Sequence, residues 1–255
     1  MKITNAVNEI LEGDCRKVIR ELPAESINLV VTDPPYNASS KGINLKNNKT
    51  GGAFFKVNEE WDKFGDYKNY LKFTREWLKE ADRVLVNNGA IIVCGSLHGI
   101  AEVIIILKEM GYKFINFITW QKTNPMPNIT KRMLTHSAEF IVWFVKGKGW
   151  TFNYEDMKKY NEGKQLRDVW TFPICQGGER VKNLDGKPAH PMQKPLKIME
   201  RLVEMASNKG DVVLDPFMGV GTTAIACNNL KRKWIGIEKE KKYIRFAKKR
   251  IKNLS

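Results

Sequence analysis

Short apolar runs alternate with longer amphipathic stretches along the chain. Runs typical of buried strands lie at 9–14, 27–31, 90–94, 115–120, 137–146, 212–215 and 233–238. Helical spacing of apolar positions is clearest at 66–86, where one face is apolar and the other is polar. The same spacing predicts helices at 15–22, 98–110, 196–207, 222–230 and 240–252. Strands that alternate with helices favour an α/β domain with a mostly parallel sheet.

Two stretches break this alternation. Residues 38–60 mix glycine, serine, asparagine and lysine without periodicity, which predicts a mobile loop. This loop is either a lid over a binding site or a disordered segment without function. Residues 147–189 combine six glycines with aromatic residues and many lysines, and we expect an irregular inserted lobe there. The main domain then consists of residues 1–146 and 190–255.

The first candidate site follows the strand at 27–31 and includes Asp33, Pro34, Pro35 and Tyr36. In open α/β sheets, ligands bind outside the carboxyl ends of the strands. Two consecutive prolines stop the strand and stiffen the turn. The carboxylate of Asp33 and the carbonyl of Pro34 can accept hydrogen bonds from an amino group on a flat ring, on which Tyr36 can stack. A plain turn after the strand is the alternative interpretation.

A second candidate site begins where the strand at 212–215 ends. The carboxylate at its end is followed by a glycine turn and a helix start that together comprise Asp215, Phe217, Gly219, Gly221, Thr222 and Thr223. Glycines allow the backbone to approach a ligand closely, although the spacing falls short of the G-x-G-x-x-G pattern of nicotinamide sites. The next strand ends in Glu238, a position where an acid typically binds ribose hydroxyls. Asp14 also follows a strand, and a helix cap is its equally good alternative.

The charge balance adds a class of partner to this picture. The chain has 43 Lys and Arg against 28 Asp and Glu, a formal net charge of +15, which suggests a polyanion. A generally basic surface is the alternative. Lysine, arginine and asparagine commonly contact nucleic-acid backbone. The candidate contacts are Lys41, Lys122, Asn124, Lys131, Arg132, Lys164 and Arg167.

Other classes of protein are disfavoured by the sequence. The four cysteines are scattered without a CxxC pair, so we expect neither a disulfide framework nor a metal site. The first residues lack the apolar core of a signal peptide, and the longest apolar run is far too short to span a bilayer. We therefore expect a cytoplasmic protein that has no membrane partner.

Three motifs carry a resemblance to a known family. Asp33-Pro34-Pro35-Tyr36 resembles the catalytic motif of methyltransferases that modify adenine N6 or cytosine N4 in DNA. The stretch 215–223 resembles their S-adenosylmethionine loop, and 190–195 resembles the motif that closes over the methionine part of this cofactor. The catalytic motif precedes the cofactor loop, with the irregular lobe between them, as in the β group of DNA amino-methyltransferases. Stretches 120–125 and 163–165 also resemble adenine-specific members from restriction-modification systems.

The resemblance implies a permuted, Rossmann-like S-adenosylmethionine-dependent methyltransferase sheet with one antiparallel edge strand and an inserted DNA-recognition lobe at 147–189. The implied catalytic residues are Asp33, Pro34, Pro35 and Tyr36. The implied cofactor-binding residues are Asp14, Asp33, His190, Gln193, Lys194, Asp215, Phe217, Gly219, Gly221, Thr222, Thr223 and Glu238.

The implied activity is site-specific methylation of adenine N6 in DNA, with the target base flipped out of the duplex. Aspartate in the first motif position favours adenine. Cytosine N4 is the alternative substrate, and a catalytically dead DNA-binding module is a further one. The implied partner is DNA, and a restriction endonuclease that shares the recognition site is a possible second partner. The enzyme is expected to be a monomer or a homodimer.

Overall fold

The computed structural model describes residues 2–37, 59–128 and 131–253. The strands are β1 (Glu9–Glu12), β2 (Ile27–Thr32), β3 (Leu85–Gly95), β4 (Lys113–Lys122), β5 (Ala138–Val145), β6 (Val169–Phe172), β7 (Val212–Asp215) and β8 (Lys233–Glu238). The helices are α1 (Cys15–Val18), α2 (Tyr67–Val84), α3 (Ile100–Glu109), α4 (Tyr154–Lys158), α5 (Leu196–Ala206), α6 (Thr222–Asn229) and α7 (Lys241–Lys252).

The described residues form one eight-stranded sheet with the order β1-β8-β7-β2-β3-β5-β4-β6. Strands β1, β8, β7, β2 and β3 are parallel to one another. Strand β5 is antiparallel to both of its neighbours, β3 and β4, and β6 then runs parallel to β4. The prediction of a mixed sheet with one antiparallel edge strand is thus confirmed for the antiparallel strand, which is β5, and β4 and β6 lie beyond it on that side of the sheet. The carboxyl ends of β2 and β7 meet at one edge of the sheet.

Apolar side chains cover both faces of the sheet. One cluster includes Trp77 and Leu78 of α2 together with Val103 of α3. The other includes Leu202 of α5 and Ala226 of α6. Helix α2 buries one side because its apolar residues recur at helical spacing, and the Asp66 side chain caps its first turn. The result is a sheet between two layers of helices, as expected for alternating strands and helices.

The predicted end of one helix and the predicted start of the next strand are both wrong. The sequence predicts a helix that ends at 86 and a strand that begins at 90, but α2 ends at Val84 and β3 begins at Leu85. The turn residues 87–89 bulge inside β3, where its register against β2 shifts between Ile27 and Leu29. Residues 87–89 therefore interrupt the pairing of a strand instead of separating two elements.

The inserted stretch 147–189 is less irregular than its composition predicts. It contains α4 and β6, and β6 extends the main sheet by pairing with β4. Trp170 and Phe172 of β6 are buried in the same core cluster as α5. The alternation of exposed and buried residues in β6 covers only four positions, too few to predict a strand among glycines and lysines. Pairing with β4 stabilises the strand instead. Most of the expected mobile loop, residues 38–58, lies outside the described residues.

Arg201 of α5 attaches this stretch to the main domain. Its guanidinium carbon lies 4.1, 4.9 and 4.6 Å from the ring centroids of Tyr160, Trp170 and Phe172. Burial lowers the pKa of Arg201, so the rings replace part of the hydration that the charge has lost. One turn further along α5, Glu204 accepts a hydrogen bond from the Tyr160 hydroxyl at 2.7 Å.

We expect Arg201→Ala to lower the free energy of unfolding by about 2 kcal/mol, because it removes a desolvated cation from aromatic faces and its packed aliphatic stem. Urea unfolding followed by circular dichroism measures this change. Lys197→Ala, on an exposed position of the same helix, is the control and should change the free energy by less than about 0.5 kcal/mol. Equal effects of the two substitutions would show that the aromatic contacts contribute nothing.

Candidate active site

A cavity of about 510 Å³ opens at the carboxyl edge of the sheet. It lies where β1, β2, β7 and β8 end, the position at which open α/β sheets bind ligands. Every predicted catalytic residue lines it, and so does every predicted cofactor residue except Gly221. Residues from three separate parts of the sequence, at 33–36, 190–194 and 215–223, are therefore brought together in one place.

The turn after β2 is held by a residue that the sequence did not single out. Asp62 is buried, and its Oδ1 accepts hydrogen bonds from the backbone amides of Tyr36 and Asn37, both at 2.8 Å. Asn37 has a positive φ of 54°, which turns the chain sharply after the two prolines. A buried carboxylate that accepts two amide hydrogen bonds thus fixes the direction in which Asp33 and Tyr36 point.

Asp33 lies in a chain of alternating charges. The Lys194 ammonium donates to Asp33 Oδ2 at 2.6 Å and to the Tyr36 hydroxyl at 2.9 Å. The same ammonium lies 3.3 Å from Oε2 of Glu139, whose Oε1 lies 2.8 Å from the Lys122 ammonium. The Tyr36 hydroxyl donates to the other oxygen of Asp33. Two acids and two lysines are thus paired within a largely buried site.

Burial and pairing act in opposite directions on these groups. Burial raises the pKa of Asp33 to about 7, although the Lys194 charge works against this rise. Burial alone would lower the pKa of Lys194, but the negative charges of Asp33 and Glu139 outweigh this effect. The pKa of Lys194 is therefore raised. For Glu139, burial is outweighed by Lys194 and Lys122, and its pKa is lowered. Asp33 is therefore the member of the chain that titrates near neutral pH.

Asp215 ties the two candidate sites to each other. Its Oδ1 accepts from the Thr32 hydroxyl at 2.7 Å and from the Phe217 amide at 3.1 Å, and its Oδ2 accepts from the Thr223 hydroxyl. Burial raises its pKa. The end of β2, the end of β7 and the first turn of α6 are thus joined by one carboxylate.

The two glycines of the turn have different tasks. Gly219 has a φ of +55°, and a Cβ there would lie 3.3 Å from Nε2 of His190, so a side chain would crowd the cavity wall. Gly221 has a φ of +84°, and a Cβ there would lie 3.2 Å from Cβ of Ala247 in α7. Gly221 therefore allows α6 and α7 to pack closely behind the cavity. This position explains why Gly221 is the one predicted cofactor-binding residue that does not line the cavity.

Acidic side chains are prominent in the cavity wall despite the basic composition of the chain. Among the described lining residues the acids are Asp14, Asp33, Glu60, Asp62, Glu76, Asp215 and Glu238, against Arg16, Lys63, Lys72, Lys194 and Lys239. Glu238 Oε2 accepts from the Gly219 amide at 2.9 Å, and burial raises the pKa of Glu238. Asp14 caps α1, and its hydrogen bonds with Arg16 lower its pKa.

The segment 190–195 forms another wall of the cavity. The His190 ring is stacked on Trp61, with centroids 5.7 Å apart, and contacts Tyr243 at 4.4 Å. Burial lowers the pKa of His190 to about 3, so the ring is neutral. The amide of Gln193 is used within the protein, because it accepts from the Val181 amide and donates to a backbone carbonyl.

The predicted DNA contacts fall into three groups. Lys41 lies outside the described residues. Lys122 and Asn124 are engaged in the fold, since Lys122 is paired with Glu139 and Asn124 hydrogen-bonds the 174–176 segment. The remaining four are exposed to solvent, namely Lys131, Arg132, Lys164 and Arg167. A positive charge in a polar loop does not reveal whether a buried acid from a neighbouring strand will pair with it.

Two further observations concern metal ions and membranes. Within the described ranges, no group of three or more histidine, cysteine or acidic side chains could hold a metal ion. In the same ranges, no helix is both long enough and apolar enough to cross a membrane.

Comparison with known proteins gives a consistent family. Residues 27–249 match the family model for N6 and N4 methyltransferases described as DNA methylase. The chain is 41% identical to type II methyltransferase M.HinfI of Haemophilus influenzae, over 99% of this chain and 70% of that protein. It is also 41% identical to type II methyltransferase M2.LlaDCHI of Lactococcus lactis subsp. cremoris, over 95% of this chain and 88% of that protein.

A solved structure agrees with these relatives. The crystal structure of the M1.HpyAVI–SAM complex superposes with a TM-score of 0.68 at 30% identity, covering 98% of this chain and 99% of that one. The matched family model spans both the turn after β2 and the glycine turn after β7. The chain therefore belongs to the DNA methylase family of N6 and N4 methyltransferases.

Proposed function

We propose that this DNA methyltransferase transfers a methyl group from S-adenosylmethionine to the N6 amino group of adenine at a specific DNA sequence. The observation that carries the proposal is the meeting of two motifs in one cavity. The turn with Asp33, Pro34 and Tyr36 and the glycine turn with Gly219 line the same space. A ring that bears an amino group and a methyl donor can thus be held side by side.

The cavity suits S-adenosylmethionine better than a cofactor that carries phosphates. A phosphate at a helix N-terminus needs free backbone amides, but the Gly219 amide already donates to Glu238. Seven acidic residues against five basic ones in the described wall leave an excess of acids, which favours a ligand with positive groups. When bound, S-adenosylmethionine supplies an electrophilic methyl group on a positively charged sulfur. Glu238 and Phe217 would hold its nucleoside part, and the wall formed by 190–194 would enclose the rest.

The amino nitrogen of adenine is a weak nucleophile because its lone pair is delocalised into the ring. Hydrogen bonds from this amino group to the Asp33 carboxylate and the Pro34 carbonyl favour a pyramidal nitrogen with an available lone pair. Asp62 and the two prolines hold these acceptors in place before the substrate arrives. Prearranged acceptors in a site from which water is excluded contribute more than they would in solution.

Adenine is proposed over cytosine because the first residue of the motif is Asp33, which resembles the adenine-specific pattern. Cytosine N4 carries the same kind of amino group and is the second candidate. The experiment is incubation of duplex DNA with the protein and methyl-labelled cofactor, followed by digestion to nucleosides. N6-methyldeoxyadenosine is the expected product, whereas N4-methyldeoxycytidine alone would contradict the choice of adenine. Sequencing of the modified DNA identifies the recognition site.

The target base lies inside a duplex, so we propose that it is flipped out to reach Asp33. The 147–189 stretch is proposed as the target-recognition lobe, because Lys164 and Arg167 are exposed there and can contact phosphates. The enzyme is proposed to act as a monomer or a homodimer, alongside a restriction endonuclease with the same recognition site.

Cofactor binding is tested at Gly219. Gly219→Val should weaken S-adenosylmethionine binding by at least ~10-fold, because the positive φ disfavours a branched side chain and the new Cβ would crowd His190. Isothermal titration calorimetry measures the affinity. Gly178→Val is the matched control, because a Cβ at Gly178 would have nothing within 4 Å. Tight binding of NAD without binding of S-adenosylmethionine would contradict the assignment.

The role of Asp33 is tested by Asp33→Ala. Loss of one well-placed electrostatic partner lowers the methylation rate by on the order of 10²–10³. Cofactor affinity should fall much less than the rate, because the glycine turn and Glu238 are not changed and only the border of the cofactor site at Asp33 and Lys194 is affected. Glu109→Gln, at an exposed ion pair with Arg75 on the protein surface, is the control and should leave the rate intact. Near-normal turnover of Asp33→Ala would disprove amino-group activation by this carboxylate.

The basic surface is tested by salt. The double variant Lys164→Ala/Arg167→Ala should reduce the slope of log affinity against log salt concentration by about 1.8, because each lost phosphate contact removes about 0.9. Fluorescence anisotropy with labelled duplex DNA measures the slope. The control is Lys248→Ala/Lys249→Ala on the exposed face of α7, which should leave the slope unchanged. An affinity that does not depend on salt would show that the basic surface does not contact DNA.

A further inference from the structure

Glu139 lies behind the catalytic turn and has an unusual environment. Glu139 is the second residue of β5, the antiparallel strand, and its side chain is 12% exposed. One oxygen, Oε1, is held by the Lys122 ammonium at 2.8 Å. The other oxygen, Oε2, is buried and has no hydrogen-bond partner among the described residues, although the Lys194 ammonium is only 3.3 Å away. Glu139 therefore presents one fixed but unsatisfied acceptor to Lys194.

Lys194 lies between this acceptor and Asp33. Its ammonium is 2.6 Å from Asp33 Oδ2, a full hydrogen bond, and it also donates to the Tyr36 hydroxyl. Because Tyr36 donates to Asp33 Oδ1, both oxygens of the carboxylate already accept hydrogen bonds from the protein. Each oxygen keeps a second lone-pair position, but the Lys194 ammonium draws electron density from Oδ2 and weakens it as an acceptor for an incoming amino group. A carboxylate that is permanently committed to an ammonium is a poor acceptor for a substrate.

We propose that Glu139 is a positioning residue that receives Lys194 when the target base binds Asp33. A shift of the ammonium from Asp33 towards Glu139 Oε2 frees Oδ2 for the amino group. The positive charge stays within reach of Asp33, so the carboxylate remains ionised. This inference rests on the proposed function, since it concerns how the same turn accepts an amino group.

The charge of Glu139 also affects the ionisation of Asp33. The groups that face Asp33 are Lys194 from the segment before α5, Glu139 from β5, Asp215 from the end of β7, Cys94 from β3 and Tyr36 from its own turn. Burial is the main reason for the raised pKa of Asp33, and the charges of Glu139 and Asp215 raise it further, while Lys194 lowers it. Removal of the Glu139 charge therefore shifts the pKa of Asp33 downwards.

The test is Glu139→Gln, which keeps the shape and removes the charge. Because the ammonium loses its second charged acceptor, it stays on Asp33, and we expect kcat for methylation to fall by ~10–100-fold. If Asp33 must be ionised for activity, the acidic limb of the pH profile of kcat/KM lies near pH 7 in the native enzyme. In Glu139→Gln this limb should move to lower pH by about 1 unit. KM for DNA and for the cofactor should change by less than about 3-fold.

A slower enzyme with a more acid-tolerant profile is not expected from structural damage. Glu204→Gln is the matched control, because the Glu204 side chain is 11% exposed and is also paired with a lysine, Lys159, outside the site. This variant should lose stability and leave the acidic limb in place. Glu139→Asp retains the charge and should keep the limb near its native pH, with part of the rate.

Loss of one member of a buried pair can prevent folding. The double variant Glu139→Gln/Lys122→Met removes both charges of the Glu139–Lys122 ion pair and leaves the Asp33–Lys194 ion pair intact. It should show the same shift of the acidic limb of the kcat/KM profile. The proposal is overturned if either variant folds and has both the native kcat and the native acidic limb of the kcat/KM profile. Failure of both variants to fold also overturns it, since Glu139 would then be needed for the structure itself. If the native enzyme methylates no amino group in DNA, the proposed function fails instead.

Discussion

The Lys194 ammonium is buried between two carboxylates and a tyrosine hydroxyl, and this pairing joins four parts of the chain. Asp33 follows β2, Glu139 lies in β5, Lys122 ends β4, and Lys194 precedes α5. Removal of one partner from a buried ion pair typically costs about 3–5 kcal/mol, because the remaining charge is left without compensation. The ionic chain therefore restricts where the catalytic turn and the 190–195 wall can lie relative to each other.

Hydrogen bonds from uncharged donors to two buried aspartates complete the frame around this ionic chain. Asp62 fixes the far side of the catalytic turn through two backbone amides, and Asp215 joins β2 to the glycine turn through Thr32 and Thr223. A parallel sheet brings the ends of its strands to one edge, so residues that are about 180 positions apart become neighbours. The catalytic turn and the glycine turn are thus held by hydrogen bonds within the protein before any ligand arrives, as electrostatic preorganisation requires.

Much of this arrangement is accessible from sequence because it depends on local pattern. The predicted strands ending at Asp215 and Glu238 match β7 and β8, since apolar runs bounded by turn residues are strong signals. The position of the catalytic turn follows from the same rule. The roles of Lys122 and Gln193 could not be predicted, because each depends on a partner brought close only by the fold. Glu139 was missed for this reason, as a lone acid in a strand has no distinctive pattern.

The edge strand β6 shows a related limit. Its four residues carry too little pattern to be recognised among glycines and lysines, and its structure depends on pairing with β4 and on the packing of Trp170 against Arg201. Long-range pairing decides the structure wherever local preference is weak. The composition of 147–189 predicts a separate, irregular lobe but gives no sign of its attachment to the main sheet through β6.

The proposed mechanism requires an Asp33 carboxylate that is desolvated yet paired, and the titration of this group can be observed directly. Carbon NMR of protein labelled at aspartate carboxyl carbons, with Asp33→Asn used to assign the signal, gives the apparent pKa of this group in the free enzyme. We expect a titration near pH 7, because burial beside Lys194 and Glu139 raises the pKa of Asp33. A titration near the ordinary value of 3.8 would contradict it, because Asp33 would then be a solvated carboxylate and not part of a buried ionic chain.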